Sequence, residues 1–587
     1  MLGGKSMKTV NIKIDGIQVS VPKDSTILEA ARYAGIHIPT LCYLKEINEI
    51  GACRICVVEV KGARSLMAAC VYPVSEGMEV YTNTQKVQES RKTTLQLILS
   101  THDKKCLSCK RNGTCELQKL CDDFCIEDED KFKGEFIKSE KDETTLHLVR
   151  DNNKCVLCRR CVAACKNQHV AVIGPNNRGF DTHIGCAFEK GLADVACVSC
   201  GQCVVSCPTG ALIEKDQCDD VMNAIFDDSK YVVVHTAPSI RATLGECFNM
   251  PIGTNVKGKM VAALRRLGFK KVFDTDFGAD LTIMEEANEF INRGKNGGLL
   301  PMITSCSPGW VKFCEHYYPE LIPNLSTCKS PQQMMGSIIK TWYAKRNNID
   351  SKDIVVVSVM PCTAKKFEIT RKDQEAAGVQ DTDIVITTRE LARLIKKANI
   401  NFESLPNEDF DSILGESTGA GVIFGVTGGV MEAALRTAAE VLEGKPLDKV
   451  DYKEVRGIDG IKEATYKIAG MDVKVAIASG LKNASIILDK IKAGTAYYQF
   501  IEIMCCPGGC INGGGQPIQS AAVRSFTNLI EERAKAIYDE DQSMVLRKSH
   551  ENPAIKMLYD EFLGSPGSRK AHEILHTSYV ERKKINL

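Results

Sequence analysis

The sequence has no long block of like charge. Its 75 Lys and Arg residues meet 74 Asp and Glu, for a net charge of +1 over 587 residues. That balance provides no basic stripe for a phosphate backbone, so nucleic acid is not expected as a partner. No apolar run approaches the roughly 20 residues that cross a bilayer. The longest, such as Ile354 to Met360, fall far short. The opening Met1-Leu-Gly-Gly-Lys-Ser lacks the apolar core of a secretory signal. No solenoid repeat is found, and no convincing Gly-rich dinucleotide fingerprint, so an NAD or flavin site is expected on another chain. A cytoplasmic protein of several domains is the expectation. In that compartment clustered cysteines hold metal or do chemistry, because disulfide scaffolds are small and secreted.

What is present in abundance is cysteine, 27 in all. Fifteen fall into metal-ligand spacings before residue 210. The first group is Cys42-x10-Cys53-x2-Cys56-x13-Cys70, a C-x2-C core with distant partners. Four thiolates suit a 2Fe–2S cluster. A four-cysteine zinc site uses the same ligands, and iron–sulfur is preferred because of the runs that follow. The second group is His102-x3-Cys106-x2-Cys109-x5-Cys115. A lone histidine is ordinarily a core or surface residue; three cysteines just after it mark it as a fourth ligand. Cys121 and Cys125 are left over, expected to be buried or to face a partner. The third group is a doubled run, Cys155-x2-Cys158-x2-Cys161-x3-Cys165 and Cys197-x2-Cys200-x2-Cys203-x3-Cys207-Pro208. It matches the bacterial two-cluster ferredoxin pattern, in which the fourth cysteine of each run serves the other cluster. Cys155, Cys158, Cys161 and Cys207 are thus expected at one 4Fe–4S site, and Cys197, Cys200, Cys203 and Cys165 at the other. None of these four clusters leaves an open position for a substrate, so together they read as an electron conduit.

Residues 8–19 alternate like a hairpin around Asp15-Gly16. Ser25 is expected to cap a helix after it. A polar stretch, Lys138 to Thr145, parts the second cysteine group from the third. Beyond Lys215 the pattern changes. Tyr231-Val-Val-Val-His and Ile354-Val-Val-Val-Ser-Val read as buried parallel strands. They alternate with helical stretches such as 258–267 and 388–397. The fold class expected is multidomain α/β with α+β accessory domains.

Three downstream segments carry the remaining signal: Thr304-Ser-Cys306-Ser307-Pro-Gly-Trp310, Met360-Pro-Cys362-Thr-Ala-Lys365-Lys-Phe-Glu368, and Glu502-Ile-Met504-Cys505-Cys506-Pro-Gly-Gly-Cys510-Ile-Asn-Gly-Gly-Gly515. In this order, behind this array, they resemble the signature segments of iron-only (FeFe) hydrogenases of the long clostridial type, over essentially the whole chain. The resemblance implies a β-grasp 2Fe–2S domain at 7–85 and a one-histidine, three-cysteine 4Fe–4S domain at 86–145. It implies a two-4Fe–4S ferredoxin domain at 146–220, a catalytic α/β domain at 221–525 and a wrapping helical segment at 526–587. The cofactors implied are one 2Fe–2S cluster, three accessory 4Fe–4S clusters and an H-cluster. The last is a 4Fe–4S cube joined to a two-iron unit carrying CO, CN and a dithiolate bridge. Cys362, Cys506 and Cys510 match cube ligands, with Cys510 bridging the two units. Lys365 matches the residue that hydrogen-bonds a cyanide. Ala237, Pro238, Ser239, Gln332, Met360, Phe424 and Met504 match other pocket positions, although methionines alone would read as core packing. Glu286, Glu289 and Arg293 lie at i, i+3 and i+7, one helix face. Alone they would read as a solvated charged face. The resemblance makes Glu286, Glu289 and Ser326 a proton route ending at the thiol of Cys306.

One position departs from the family. Its first segment reads Thr-Ser-Cys-Cys-Pro, and the second cysteine, a cube ligand, falls here on Ser307. A hydroxyl is a harder, less acidic ligand than a thiol. Three assignments stand open: Cys306 ligates, Ser307 ligates as alkoxide or not at all, or Cys505 compensates. Cys306 is preferred. The function expected is reversible interconversion of two protons and two electrons with H2, the relay serving ferredoxin or flavin/NAD-binding partner subunits; the alternative is a subunit of an electron-bifurcating complex coupled to NAD(H) and ferredoxin. Thr114-Cys115-Glu116-Leu117-Gln118 resembles chains that dock to such subunits. A low-turnover electron-transfer or H2-sensing protein is the alternative of another class. A fused molybdenum formate oxidoreductase is disfavoured by the three downstream segments.

Overall fold

The computed structural model describes residues 8–446, 450–457 and 459–585. The opening hexapeptide, the first expected domain's start at residue 7 and the last two residues of the final expected segment lie outside them. The hairpin is formed by strands β1 (Thr9–Ile14) and β2 (Ile17–Pro22). Ile14 pairs with Ile17, leaving a two-residue turn. Both turn residues have positive φ, Asp15 at 46° and Gly16 at 89°, which suits the Asp-Gly pair. With β3 (Val57–Val60), β4 (Met67–Ala68) and β5 (Glu79–Tyr81) they make a five-stranded sheet. The helix Ile27–Tyr33 packs beside it. Its cap is Thr26, not Ser25: the Thr26 hydroxyl accepts from the Glu29 amide and the Glu29 carboxylate accepts from the Thr26 amide. Reciprocal capping requires an acid three residues after the cap, and from Ser25 that position is Leu28.

Two small antiparallel pairs follow, β6 (Leu148–Arg150) with β9 (Leu212–Glu214) and β7 (Ile173–Asn176) with β8 (His183–Cys186). The paired helices Arg160–Asn167 and Gln202–Ser206 run between them.

The larger downstream body holds two sheets. In the first, β10 (Tyr231–Thr236), β11 (Lys271–Asp274), β13 (Ile354–Met360) and β14 (Ile384–Thr387) are all parallel, ordered β11-β10-β13-β14. The Val-rich runs are buried, as a sheet covered by helices on both faces demands. The helices Lys257–Leu267 and Thr388–Lys397 supply part of that cover. In the second, β12 (Met302–Ile303), β17 (Phe500–Met504) and β16 (Met471–Ser479) are parallel, and β15 (Ile461–Ile468) is an antiparallel edge. Each of the three downstream cysteine segments leaves the carboxyl end of one strand: β12 leads to Cys306, β13 to Cys362, β17 to Cys505 and Cys506. α/β sheets place their sites outside those ends. The final helices, Leu529–Ser543, Pro553–Leu558 and Arg569–Leu575, return over this body. Buried pairs pin them, Arg533 on Glu246 and Asp541 on Arg436. No helix among the described residues is long and apolar enough to cross a membrane.

Candidate active site and cluster-binding thiols

The structure gathers the upstream cysteines into four groups. Cys42 and Cys53 exchange amide-to-sulfur contacts at 3.4 Å, and the Cys56 and Cys70 sulfurs are 3.3 Å apart. The Cys42 thiol also meets that of Cys70, closing the set of four. Cys106, Cys109 and Cys115 lie near one another, with Cys121 beside Cys106 and Cys115. Cys125 is exposed. His102 follows the long helix Gln85–Leu99. Its Nδ1 is buried with no hydrogen-bond partner. Burial pushes its pKa down to about 4, so the ring is neutral, as a metal ligand must be. In the doubled run Cys207 sits with Cys155, Cys158 and Cys161, while Cys165 sits with Cys197, Cys200 and Cys203. Burial raises the thiols of Cys158 and Cys165 to about 12. Buried thiols that lose their protons on metal binding fit cluster ligation.

These groups abut one another in a branched array. Asn48, in the first cysteine segment, donates to the Cys158 carbonyl at 3.0 Å. Arg111 donates to the Cys207 carbonyl at 3.0 Å, and a Cβ on Gly210 would stand 2.6 Å from the Cys109 sulfur. Two upstream groups therefore meet the same member of the doubled run. The other member meets the downstream site. Thr363 donates to the Ser199 carbonyl at 2.6 Å, and a Cβ on Gly514 would lie 2.2 Å from the Cys200 carbonyl oxygen. Only glycine permits that approach.

At the strand ends, Cys362, Cys505, Cys506 and Cys510 line one pocket with Cys306 and Ser307. Its wall is mainly apolar, and includes Ala237, Pro238, Gln332, Met360, Phe424 and Met504, all expected there. Ser239 is not among the lining residues; it is buried in the next turn with its hydroxyl unpartnered. The Cys362 thiol contacts that of Cys506, and Cys510 stands close to both. Gly509 turns the chain between them at φ 95°, where a Cβ would strike the Thr427 amide at 2.6 Å. Soft, buried, convergent thiols are the donor set a cube requires.

Lys365 projects into the same pocket. Its ammonium donates to Ser330 at 2.8 Å, to Glu368 at 2.9 Å and to the Cys306 carbonyl at 3.2 Å. Gln332 donates to the same Glu368 at 3.0 Å and accepts from Ser358 at 2.9 Å. The anchoring role of Glu368 went unread in the sequence. Its spacing from Lys365, one helical turn, was the available signal.

Glu286, Glu289 and Arg293 share the helix Thr275–Lys295. This is no solvated face. Glu286 is 1 % exposed, with one carboxylate oxygen lacking a partner. Burial pushes its carboxyl up to about 8. The Ser326 hydroxyl stands between the two carboxyls, meeting Glu286 and donating to Glu289 at 3.4 Å. Glu289 is held by Arg293 at 2.5 Å and by the Thr327 amide at 3.0 Å. Burial raises the Cys306 thiol, and Glu286, the first charge beside it, raises it further. The structure thus aligns Glu289, Ser326, Glu286 and Cys306 from a half-buried edge to the pocket.

Comparison with known proteins agrees in scope. A family model described as "Iron only hydrogenase large subunit, C-terminal domain" matches residues 230–514, and "Iron hydrogenase small subunit" matches 527–582. A "2Fe-2S iron-sulfur cluster binding domain" matches 7–85, and an "NADH-ubiquinone oxidoreductase-G iron-sulfur binding region" matches 91–130. The chain is 50 % identical to the NADP-reducing hydrogenase subunit HndD of Solidesulfovibrio fructosivorans, over 99 % of this chain and all of that one. It is 45 % identical to iron hydrogenase 1 of Clostridium pasteurianum, over 98 % of this chain and all of that one. Among solved structures, apo FeFe hydrogenase HydA1 from Chlamydomonas reinhardtii superposes with a TM-score of 0.56 at 40 % identity, covering 63 % of this chain and all of that one.

Proposed function

The chain belongs to the iron-only (FeFe) hydrogenases, and from that premise we propose how its own residues divide the work of interconverting H2 with two protons and two electrons. The carrying observation is the convergence of the Cys362, Cys506 and Cys510 thiols at the carboxyl ends of two sheets, between a thiol relay on one side and a carboxyl route on the other. The chemistry an H-cluster supplies there is two-electron exchange with H2 at low-valent iron, for which thiolate donors are suited.

The residues then act as follows. Cys362, Cys506 and Cys510 would hold the group. Lys365, fixed by Ser330 and Glu368, would offer its ammonium to anionic ligands of the bound group. The apolar wall keeps water out, so protons travel by side chain. Glu289 collects a proton, Ser326 passes it, and Glu286, protonated at neutral pH, hands it to Cys306. The thiols around Cys42, beside His102 and in the doubled run would hold the clusters that supply electron transfer; the contacts of Asn48 and Arg111 make two entries that join before Cys200. Two entries suit a chain that serves more than one electron partner. A relative is named as a subunit of an NADP-reducing hydrogenase. We therefore assign this chain to a cytoplasmic multi-subunit enzyme in which a partner binds the nicotinamide cofactor and ferredoxin is the alternative electron carrier.

Hydrogen uptake by the metal-replete chain, with an artificial dye as acceptor, tests the reading. Turnover is expected without any partner. A chain with all clusters spectroscopically present and no uptake contradicts it.

A further inference from the structure

Ser307 stands where a cube thiolate is expected, and the structure shows what its hydroxyl does instead. It accepts a hydrogen bond from the Cys505 amide at 3.2 Å, tying the loop after β12 to the end of β17. That contact brings a second thiol to the place where one is missing. The Cys505 sulfur lies against the Cys506 sulfur, which in turn meets Cys362. Cys505 is 2 % exposed. Its sulfur occupies the notch left by Gly309, where a Cβ would come within 2.7 Å of it. It also touches Cys200, whose own group already has four thiols in Cys165, Cys197, Cys200 and Cys203. A four-coordinate site of that kind needs no fifth ligand. Cys306 is placed otherwise. Its carbonyl takes Lys365 at 3.2 Å, and the charge acting most strongly on its thiol is that of Glu286, on the carboxyl route.

We propose that Cys505 is the fourth thiolate of the cube, in the role that Ser307 has given up, and that Cys306 is left free as the proton-transfer thiol. The ligand has moved from one strand end to the neighbouring one while the thiol count stays at four. This rests on the hydrogenase reading and replaces Cys306, the ligand preferred from the sequence.

The test uses the full-length chain with its clusters, read by iron content and by Mössbauer and paramagnetic resonance spectra of the cube. Cys505→Ala should lose the cube signal and one cube's iron, with the accessory signals retained. Cys306→Ala should keep the cube and lose turnover. The double variant Ser307→Cys/Cys505→Ala should regain the cube, because it restores a thiol on the other strand end. A Cys505→Ala chain with unaltered cube signal and iron overturns the proposal; so does failure of the double variant to regain the cube. The iron and spectroscopic readouts that decide the Cys505 assignment need no turnover. A Cys505-dependent cube without H2 turnover would sink the hydrogenase reading and leave this assignment standing.

Discussion

At the scale of single residues, Glu286 is the group whose chemistry depends most on its surroundings. Its pKa rises from 4.5 to about 8 because burial penalises the charged form. The folded chain therefore holds this proton more tightly than the unfolded one, so the side chain costs stability progressively as pH climbs from about 4.5 to about 8. Glu286→Gln should flatten that part of a urea-midpoint profile, and an unchanged slope would contradict the assignment. The same variant should lower turnover by about 10²–10⁴, the usual worth of a positioned acid or base, with cluster spectra unaltered. The residues of this route were legible only through family resemblance. Spacing placed Glu286 and Glu289 on one helix face; burial of that face is a tertiary fact, set by the sheet and final helices packed over it. Ser239, next to Ala237 and Pro238 in sequence, is buried with its hydroxyl unpartnered and does not line the pocket. Position 307 was legible as a departure, while the contact that explains it, between ends of β12 and β17 nearly 200 residues apart in sequence, was not.

At the scale of elements, the doubled run, the Asp-Gly hairpin and the Val-rich strands could be read directly, since each rests on local spacing. The meeting of two sheets at their carboxyl ends could not, because no local pattern records which strands become neighbours. The joints between elements are where change should be felt. Arg160 is 1 % exposed and paired to Glu116 at 2.7 Å, joining the one-histidine segment to the doubled run. Arg160→Ala leaves Glu116 part-buried without its partner, and breaking such a pair costs about 3–5 kcal/mol. Thermal unfolding should show a lowered first transition, with loss of the His102 group's signal before the others; a single unshifted transition would contradict this. Gly514→Ala forces a methyl against the Cys200 carbonyl. Overpacking of this kind costs about 1–3 kcal/mol. Reduction of the relay clusters by H2, followed by rapid freezing and paramagnetic resonance, should slow, and an unchanged rate would contradict the close-approach argument.

At the scale of the whole molecule, two upstream thiol groups converge on one member of the doubled run, and the other member abuts the pocket. A chain built this way is expected to leave native purification with a flavin- and nicotinamide-binding subunit attached; a chain that elutes alone and reduces ferredoxin favours the simpler partner. The central claim concerns the pocket itself and is best tested apart from any electron partner. Isotope exchange does this, since it needs only the centre and the proton route. The metal-replete chain, incubated with H2 in D2O and followed by mass spectrometry of the gas, is predicted to form HD and then D2, with Glu286→Gln and Cys306→Ala both strongly slowed. A wild-type chain with a spectroscopically complete H-cluster and no HD would contradict the account.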